Sequence, residues 1–446
     1  MLAEISMFQD GREWSSFAAR RGLMLASLSP VTRERALTYG GVTFRCVSFQ
    51  YSGTEMNITV SANDTAPPPV GWWCIAGPVT VEAHNAPVGA CEVIRVIKKV
   101  WPACRVTRVE LTSDEEISAV AQRKVLYTLE LLQNEMLSLH LGKLHVANAV
   151  VAPCLRALHF LCLDGCDGKV ELWLNGLGAA AEAVEIRDCF SFTDTTFASM
   201  TSTAVRRLVL DNTNVSACSV EQLKFADALQ TVSLMGCRNI NSLQARCFPE
   251  LRALLLGRTP ITGVSLEGIE KCCHLRLVNL GGCRGIVDVN AFGALKDLQE
   301  LFLHETSVTN VGIAALENCE ALEKLNLGGC VHVSDVNHLG NLANLVELHL
   351  WSTKVTNTGI VGLASCCSLV ELVLDDCVRI TDVWPLRSLQ SMRWLSLIGT
   401  EVDAGGVKEL IHCQRLETLA LGGTRIEQPP NLWRHETIVQ FLENLA

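Results

Sequence analysis

The chain has few aromatic and few charged side chains for its length. Of its 446 residues, 6% are aromatic, 19% are charged and only three are tyrosine. There are 37 Lys and Arg against 47 Asp and Glu, which gives a formal net charge of −10. The basic residues form no block of the kind that follows a phosphate backbone, so direct nucleic-acid binding is not expected.

Long apolar runs are also missing. No stretch reaches the roughly 18 apolar residues that a spanning helix needs, so no membrane span is expected. The N-terminal segment lacks the order of a secretory signal, because acidic residues precede Arg20 and Arg21. We predict a reducing, cytoplasmic location. Residues 17–29 have a weak similarity to an organelle presequence, which leaves mitochondrial or cytoskeletal association open.

The usual signatures of catalysis are absent from the sequence. It has no G-x-x-x-x-G-K-[ST] phosphate loop, no H-E-x-x-H, no C-x-x-C pair and no G-x-S-x-G elbow. The 20 cysteines are not paired at short spacings, and we expect them to be reduced thiols. The chain is therefore predicted to have no enzymatic activity, no cofactor and no metal site.

What the sequence does contain is a long-range period. Cys272, Cys319, Cys366 and Cys413 are each 47 residues apart, and a second set follows at 46, 47 and 47 residues: Cys237, Cys283, Cys330 and Cys377. Aligning these marks reveals a frame, L-x-x-L-x-L-x-x-(C/T), every 23 or 24 residues. Its clear copies open at Leu251, Leu275, Leu298, Leu322, Leu345, Leu369, Met392 and Leu416. Weaker copies continue upstream to Leu158, with candidates near Leu137 and Val106.

A frame of this length is typical of leucine-rich repeats. We predict an α/β fold, a leucine-rich repeat solenoid (horseshoe) with a parallel concave β-sheet and capping regions at both ends. Residues 1–104 are predicted to form an N-terminal cap or small mixed domain. Residues 105–428 form the solenoid of alternating 23- and 24-residue repeats, and residues 429–446 form a C-terminal cap helix.

The repeats alternate between two types. One has Thr at the ninth frame position and continues with a short convex helix, for which Thr309, Thr356 and Asp403 are predicted N-caps. The other has Cys there, and its convex side is shorter and predicted to be 3₁₀ or irregular. In both types we expect the ninth side chain to satisfy backbone groups of the adjacent coil. The second cysteine column is predicted to be core.

The segment Leu322–Asp335, LEKLNLGGCVHVSD, resembles the cysteine-containing leucine-rich repeat family. The resemblance covers residues 155–425, and it implies a leucine-rich repeat fold. Members of that family often follow an F-box in ubiquitin-ligase adaptors, which implies substrate recognition as a role. Residues 1–100 contain no recognisable F-box.

Frame positions three, five and seven should point away from the leucines, onto the concave face of the sheet. The bulky residues at these positions cluster within five neighbouring strands, about 20 Å of sheet: Phe302, His304, His349, Trp351 and Trp394. Carboxylates surround them: Glu300, Glu347, Glu371 and Asp375. Asn279 and Asn326 lie between, where they could bond a partner's backbone. This arrangement predicts an interface, although the rings could instead pack on each other across strands.

We therefore predict a non-catalytic scaffold for protein–protein interaction, as a subunit of a larger assembly. Its concave face would bind a protein partner through a basic or mixed-charge segment. One alternative is a substrate-recognition adaptor of a ubiquitin-ligase-like complex, with residues 1–100 docking the ligase. Another is an enzyme or enzyme regulator whose activity lies in the N-terminal segment.

Overall fold

The chain divides into two units, residues 1–205 and 206–446. The computed structural model describes residues 37–39, 42–44, 47–51, 56–60, 78–85, 87–100, 105–113, 118–143, 155–166, 171–197, 204–223, 226–263, 266, 268–427 and 432–445. The presequence-like segment at residues 17–29 lies outside this described part. The predicted domain boundaries after residues 104 and 428 remain predictions.

The first unit contains a small two-stranded sheet and a larger, mainly parallel sheet. Its strands are β1 (Leu37–Tyr39), β2 (Val42–Phe44), β3 (Val47–Tyr51), β4 (Met56–Val60), β5 (Pro78–His84), β6 (Arg105–Thr112), β7 (Ser138–Gly142), β8 (Phe160–Asp164) and β9 (Ala183–Arg187). β1 pairs antiparallel with β2, and β3 pairs antiparallel with β4. From β4 to β9 each strand is parallel to the next. Its helices are α1 (Pro87–Val100), α2 (Ala119–Leu131), α3 (Glu171–Asn175) and α4 (Asp194–Phe197).

Both candidate repeats upstream of Leu158 form strands in this sheet. Val106, Val109 and Leu111 on β6 are fully buried, as the frame predicts. At β7 the frame is shifted by one residue, because Met136 is buried whereas Leu137 is 37% exposed. Leu137 lies before β7, and Met136 takes the opening position three residues before Leu139, so the prediction that Leu137 is a core position was wrong.

The second unit repeats one strand every 22 to 24 residues. The strands are β10 (Arg207–Val209), β11 (Thr231–Ser233), β12 (Ala253–Leu255), β13 (Leu277–Asn279), β14 (Glu300–Phe302), β15 (Lys324–Asn326), β16 (Glu347–His349), β17 (Glu371–Val373), β18 (Trp394–Ser396), β19 (Thr418–Ala420) and β20 (Leu432–Trp433). From β10 to β19 each strand is parallel to the next, and β20 pairs antiparallel with β19.

Short helices return the chain from one strand to the next. The 3₁₀ helices are Ala226–Ala228, Ala245–Cys247, Ile269–Lys271, Asn290–Ala294, Val311–Asn318, Asn337–Asn341, Thr358–Ser365, Trp384–Ser388 and Lys408–His412. The α-helices are α5 (Ala217–Glu221), α6 (Ala404–Val407) and α7 (His435–Asn444). The three predicted caps bond as expected. Thr309 Oγ1 accepts from Gly312 N at 3.1 Å, Thr356 Oγ1 from Gly359 N at 3.0 Å, and Asp403 Oδ1 from Gly406 N at 2.9 Å. The cysteine-type repeats have the shorter 3₁₀ turns that were predicted.

Leucines of the frame fill the space behind the sheet. Leu322, Leu325 and Leu327 of one repeat are at most 2% exposed, and their counterparts in neighbouring repeats are buried in the same way. The α/β leucine-rich repeat architecture with a parallel sheet is thus confirmed. We call the sheet face opposite these leucines the open face.

The alternation of threonine and cysteine has a direct explanation in shared backbone acceptors. The carbonyl oxygen of Leu303 accepts from Thr306 Oγ1 at 2.7 Å and from Cys330 Sγ of the next repeat at 3.0 Å. Three other leucine carbonyls accept the same two donors: Leu210 from Thr213 and Cys237, Leu256 from Thr259 and Cys283, and Leu350 from Thr353 and Cys377. Each of these carbonyl oxygens therefore accepts from side chains of two successive repeats and joins them.

The second cysteine column bonds in a similar way on the opposite side of the core. Cys319 Sγ donates to Phe292 O at 3.3 Å, and the equivalent cysteines of the column are Cys272, Cys366 and Cys413. Burial raises the pKa of the Cys319 thiol to about 11, so it stays protonated at neutral pH. The cysteines in the described part of the chain are free of disulfides. Both columns therefore hold neighbouring repeats together.

We predict that Cys330→Ser destabilises the chain by about 1–2 kcal/mol. The shorter C–O bond draws the donor away from Leu303 O and leaves a more polar group in a buried turn. The midpoint of denaturant unfolding measures this effect. Cys367→Ser is the matched control, because Cys367 is exposed and its replacement should leave the midpoint unchanged. Loss of binding in Cys330→Ser without loss of stability would contradict the structural role.

Candidate interaction face

The predicted interface residues all belong to the open face of the second unit, on or directly after consecutive strands. Phe302, Asn326 and His349 are register neighbours across β14, β15 and β16. Glu300, Glu347 and Trp394 occupy the third frame position of their repeats, and His304, Trp351 and Asp375 occupy the seventh. Four strand steps separate β14 from β18, which corresponds to about 19 Å. The structure thus brings the predicted residues onto one surface.

Trp351 packs over a glycine of the preceding repeat. A Cβ atom added at Gly328 would come within 2.1 Å of Trp351 Cε2, so the indole occupies the space where a side chain would otherwise be. Gly328 is buried as a result, and the Trp351 side chain is half-buried. The ring is held against the sheet and keeps part of its surface open to solvent.

His304 is arranged in the same way, two repeats before Trp351. A Cβ atom at Gly281 would come within 2.0 Å of His304 Cε1. The imidazole is half-buried, and its Nδ1 atom has no hydrogen-bond partner. Burial lowers the pKa of His304 below its ordinary value; nearby Glu305 opposes this shift and Arg258 adds to it. His304 is therefore a neutral, surface-packed ring at neutral pH.

The Gly-Gly pairs of the cysteine-type repeats thus serve two purposes. The first glycine, Gly281 or Gly328, admits the ring of the following repeat. The second, Gly282 or Gly329, has a left-handed backbone with φ of +76° or +72°, which turns the chain away from the strand. Rings and glycines alternate at the seventh frame position because adjacent strands are too close for a ring on each.

Hydrogen-bonded polar pairs occupy the third and fifth positions of the central strands. Lys324 Nζ lies 2.9 Å from Glu347 Oε1, and His349 Nε2 lies 3.1 Å from Glu371 Oε1. These pairs are at least 30% exposed, so each contributes little to stability. They leave a surface on which charged groups are available to a partner.

Two predicted residues also have a structural role. Asn326 Oδ1 accepts from Gly328 N at 2.9 Å, which uses the amide oxygen to hold the turn beneath Trp351. Asp375 accepts from Ser396 Oγ and, at 3.1 Å, from Ile398 N of the next repeat. Their contact with a partner remains a prediction.

The C-terminal end of this face is more apolar than the sequence indicates. Trp394 is 40% exposed and Ile398 is 43% exposed. Ile398 occupies the seventh frame position of its repeat. The residue at that position in the preceding repeat is Asp375, so there is no glycine for the Ile398 side chain to pack over. Trp433, on β20, is 59% exposed and contacts Trp394 edge to face. Sequence reasoning missed Trp433 because a two-residue antiparallel strand carries no repeat signal.

Charge is unevenly distributed along the second unit. Residues 206–284 contain ten Lys and Arg against six Asp and Glu, whereas residues 285–427 contain nine against eighteen. The half that includes the predicted interface residues is therefore the acidic half. It favours a cationic partner.

Within the described ranges, no three His, Cys, Asp or Glu side chains are grouped so that they could hold a metal ion. No helix there combines the length and apolarity needed to cross a bilayer.

We predict that Gly328→Ala destabilises the chain, because the new Cβ displaces the Trp351 indole. The cost should be about 1–3 kcal/mol, as for overpacking, and it should shrink in a Trp351→Ala background. Gly422→Ala is the control at the same frame position, since its Cβ would meet Ile398 Cγ1 at an ordinary 3.9 Å. A double-mutant cycle from unfolding midpoints measures the coupling. Equal costs of Gly328→Ala in both backgrounds would refute the packing.

The lowered pKa of His304 predicts a pH effect on stability. Below its ordinary value of 6.5 the unfolded state takes up a proton that the folded state resists, so stability falls as pH decreases. His304→Asn should reduce this slope relative to wild type. His332→Asn should leave it unchanged, because His332 is exposed. Unfolding midpoints measured between neutral and mildly acidic pH test this, and an unaltered slope in His304→Asn would contradict it.

The fold matches leucine-rich repeat proteins of known structure. An internalin (InlF) from Listeria monocytogenes matches with a TM-score of 0.55 and 17% identity, over 67% of this chain and 84% of the internalin. A leucine-rich repeat protein from Leptospira interrogans matches with a TM-score of 0.55 and 16% identity, over 80% of this chain and 91% of its own. Toll from Drosophila, solved in complex with Spätzle, matches with a TM-score of 0.59 and 17% identity, over 90% of this chain and 54% of the Toll chain.

No protein-family model and no curated protein sequence matches the chain. The structural matches are all at low identity, so they establish the leucine-rich repeat fold and nothing narrower. The resemblance to the cysteine-containing, F-box-type subfamily is not confirmed by them.

Proposed function

We propose that this chain is a non-catalytic protein-binding scaffold, a subunit of a larger assembly, and that it binds its partner through the acidic half of the open face. The supporting observation is the position of Trp351 over Gly328. A half-exposed indole held against a rigid sheet offers apolar area to a partner and loses little rotamer freedom on binding. Phe302 lies two strands away on the same face.

The surroundings of these rings resemble those of energetic centres in protein interfaces. Aromatic anchors dominate such interfaces, and polar groups around them exclude water and set specificity. Here the polar groups are the Lys324–Glu347 and His349–Glu371 pairs, together with Glu300. The acidic excess favours a partner segment of basic or mixed charge.

The structural matches are compatible with this proposal. The Toll structure is of a complex with the protein Spätzle. Extended repeat arrays present long surfaces of this kind because each repeat contacts only its neighbours. A role as a ubiquitin-ligase adaptor would be one form of the same proposal.

The experiment is affinity purification of the tagged full-length chain from its own cells, beside Phe302→Ala/Trp351→Ala, with quantitative mass spectrometry. We expect the double variant to fold normally and to lose a defined set of proteins. With a purified partner from that set, the loss should exceed about 2 kcal/mol, or about 30-fold in Kd.

Trp384→Ala is the matched control. Trp384 is also exposed, at 44%, but it lies in the 3₁₀ helix Trp384–Ser388 and not on the open face. It should retain the partner set. If the double variant captures the same proteins with the same affinity as wild type, the open face is not the binding surface.

A further inference from the structure

Two tryptophans meet at the C-terminal end of the open face. The ring centroids of Trp394 and Trp433 are 6.2 Å apart, and the ring planes are inclined by 75°. Both rings are exposed, at 40% and 59%. An edge-to-face contact of this kind stabilises the pair, but it leaves much of two indole surfaces in water.

Their backbone positions show that the two rings lean together. Thr418 is the register neighbour of Trp394 on one side and of Trp433 on the other. Two strand steps place the backbones about 10 Å apart, whereas the centroids are 6.2 Å apart. The rings therefore converge above Thr418 and form an aromatic corner, which we define as Trp394 and Trp433.

A carboxylate lies directly beside this corner. Glu371 is the register neighbour of Trp394 on the side away from Thr418. It is 35% exposed and its contact is with His349 Nε2, at 3.1 Å. The nearby cation Arg393 is bonded to Glu417 at 3.2 Å. Arg434 follows Trp433 in the chain, outside β20, with an exposed side chain.

Another exposed tryptophan of this chain shows what such rings attract. The guanidinium carbon of Arg387 lies 5.5 Å from the centroid of the Trp384 ring. Within the described part of the chain, neither Trp394 nor Trp433 has a cation in this position. The corner thus has aromatic faces and a carboxylate but no cation of its own.

We infer that the aromatic corner and Glu371 form an anchor for an arginine side chain of a basic partner segment. This inference rests on the proposed function and locates one contact within it. The guanidinium would stack on an indole face and donate to Glu371. Arginine fits better than lysine because its planar group stacks and donates in a fixed geometry at the same time.

Charge complementarity supports the same occupant. The acidic excess of residues 285–427, eighteen Asp and Glu against nine Lys and Arg, surrounds the corner with a field that attracts cations. Glu347 continues the third-position column away from the corner, followed by Lys324, with which it pairs, and by Glu300. A basic segment anchored at Trp394 and running across the strands would therefore meet the carboxylate of Glu347 next.

The test is a titration of the full-length chain with the pentapeptide acetyl-Gly-Gly-Arg-Gly-Gly-amide. Its readout is the NMR shift of the indole N–H groups of Trp394 and Trp433, assigned with W394F and W433F. The same peptide with citrulline keeps the shape and removes the charge. We expect saturable shifts with the arginine peptide. The Kd of the citrulline peptide should be higher than that of the arginine peptide by about fivefold or more.

Variants separate the parts of the anchor. Trp394→Ala and Glu371→Gln should each raise the Kd of the arginine peptide about fivefold or more. Trp384→Ala should leave its Kd unchanged, which controls for general loss of exposed tryptophan. Thermal unfolding of each variant verifies that the chain remains folded. Equal binding of arginine and citrulline peptides, or an unchanged Kd for Trp394→Ala read from the indole N–H of Trp433, would overturn the inference.

Failure of this inference can be distinguished from failure of the proposed function. The pentapeptide reports on the corner directly, whereas Phe302→Ala/Trp351→Ala reports on the centre of the face. If that double variant loses its partners but the corner shows no preference for arginine, the proposed function stands and the anchor is refuted. If the corner prefers arginine but neither Phe302→Ala/Trp351→Ala nor Trp394→Ala/Trp433→Ala changes the set of captured proteins, the proposed function is refuted.

Discussion

The distance between parallel strands of neighbouring repeats, about 4.8 Å, is the constraint on which the rest of the second unit depends. At this distance, side chains of successive repeats contact each other and can share hydrogen-bond partners. Leu303 O accepts from Thr306 in its own repeat and from Cys330 in the next, which joins the two repeats. Where two threonines follow each other, each bonds the carbonyl of its own repeat, Thr400 that of Leu397 and Thr424 that of Leu421.

The same constraint acts on the open face. At the seventh frame position a ring in one repeat needs a glycine in the one before, as Trp351 needs Gly328 and His304 needs Gly281. Alternation behind the sheet and alternation in front of it therefore have one period, two repeats. The result is two half-buried rings, His304 and Trp351, two strands apart and held in place by the sheet.

The alternation of glycines and rings ends at Asp375, and the residues exposed on the open face are different beyond it. Asp375 takes the place of a glycine and bonds the following turn, and Ile398, in the same repeat as Trp394, remains exposed. The antiparallel strand β20 then adds Trp433 to the same end of the face. Acidic and apolar groups thus meet at this end, which is the combination that suits a basic segment with an apolar stem.

The sequence by itself determined the repeat period, the alternation of threonine and cysteine, the buried leucines and the face on which Phe302, His304, His349 and Trp351 lie. These follow from spacing, because a period of 23 or 24 residues and alternation along a strand fix which side chains share a face. Contacts between repeats could not be read in this way. Only the tertiary structure decided that Trp351 rests on Gly328, that Asn326 and Asp375 hold turns, and that Trp433 joins Trp394. The Asn326 bond to Gly328 lies within one turn, whereas the other contacts join residues of different repeats or of β18 and β20. Their outcome depends on which side chains fit against each other across one or two strands.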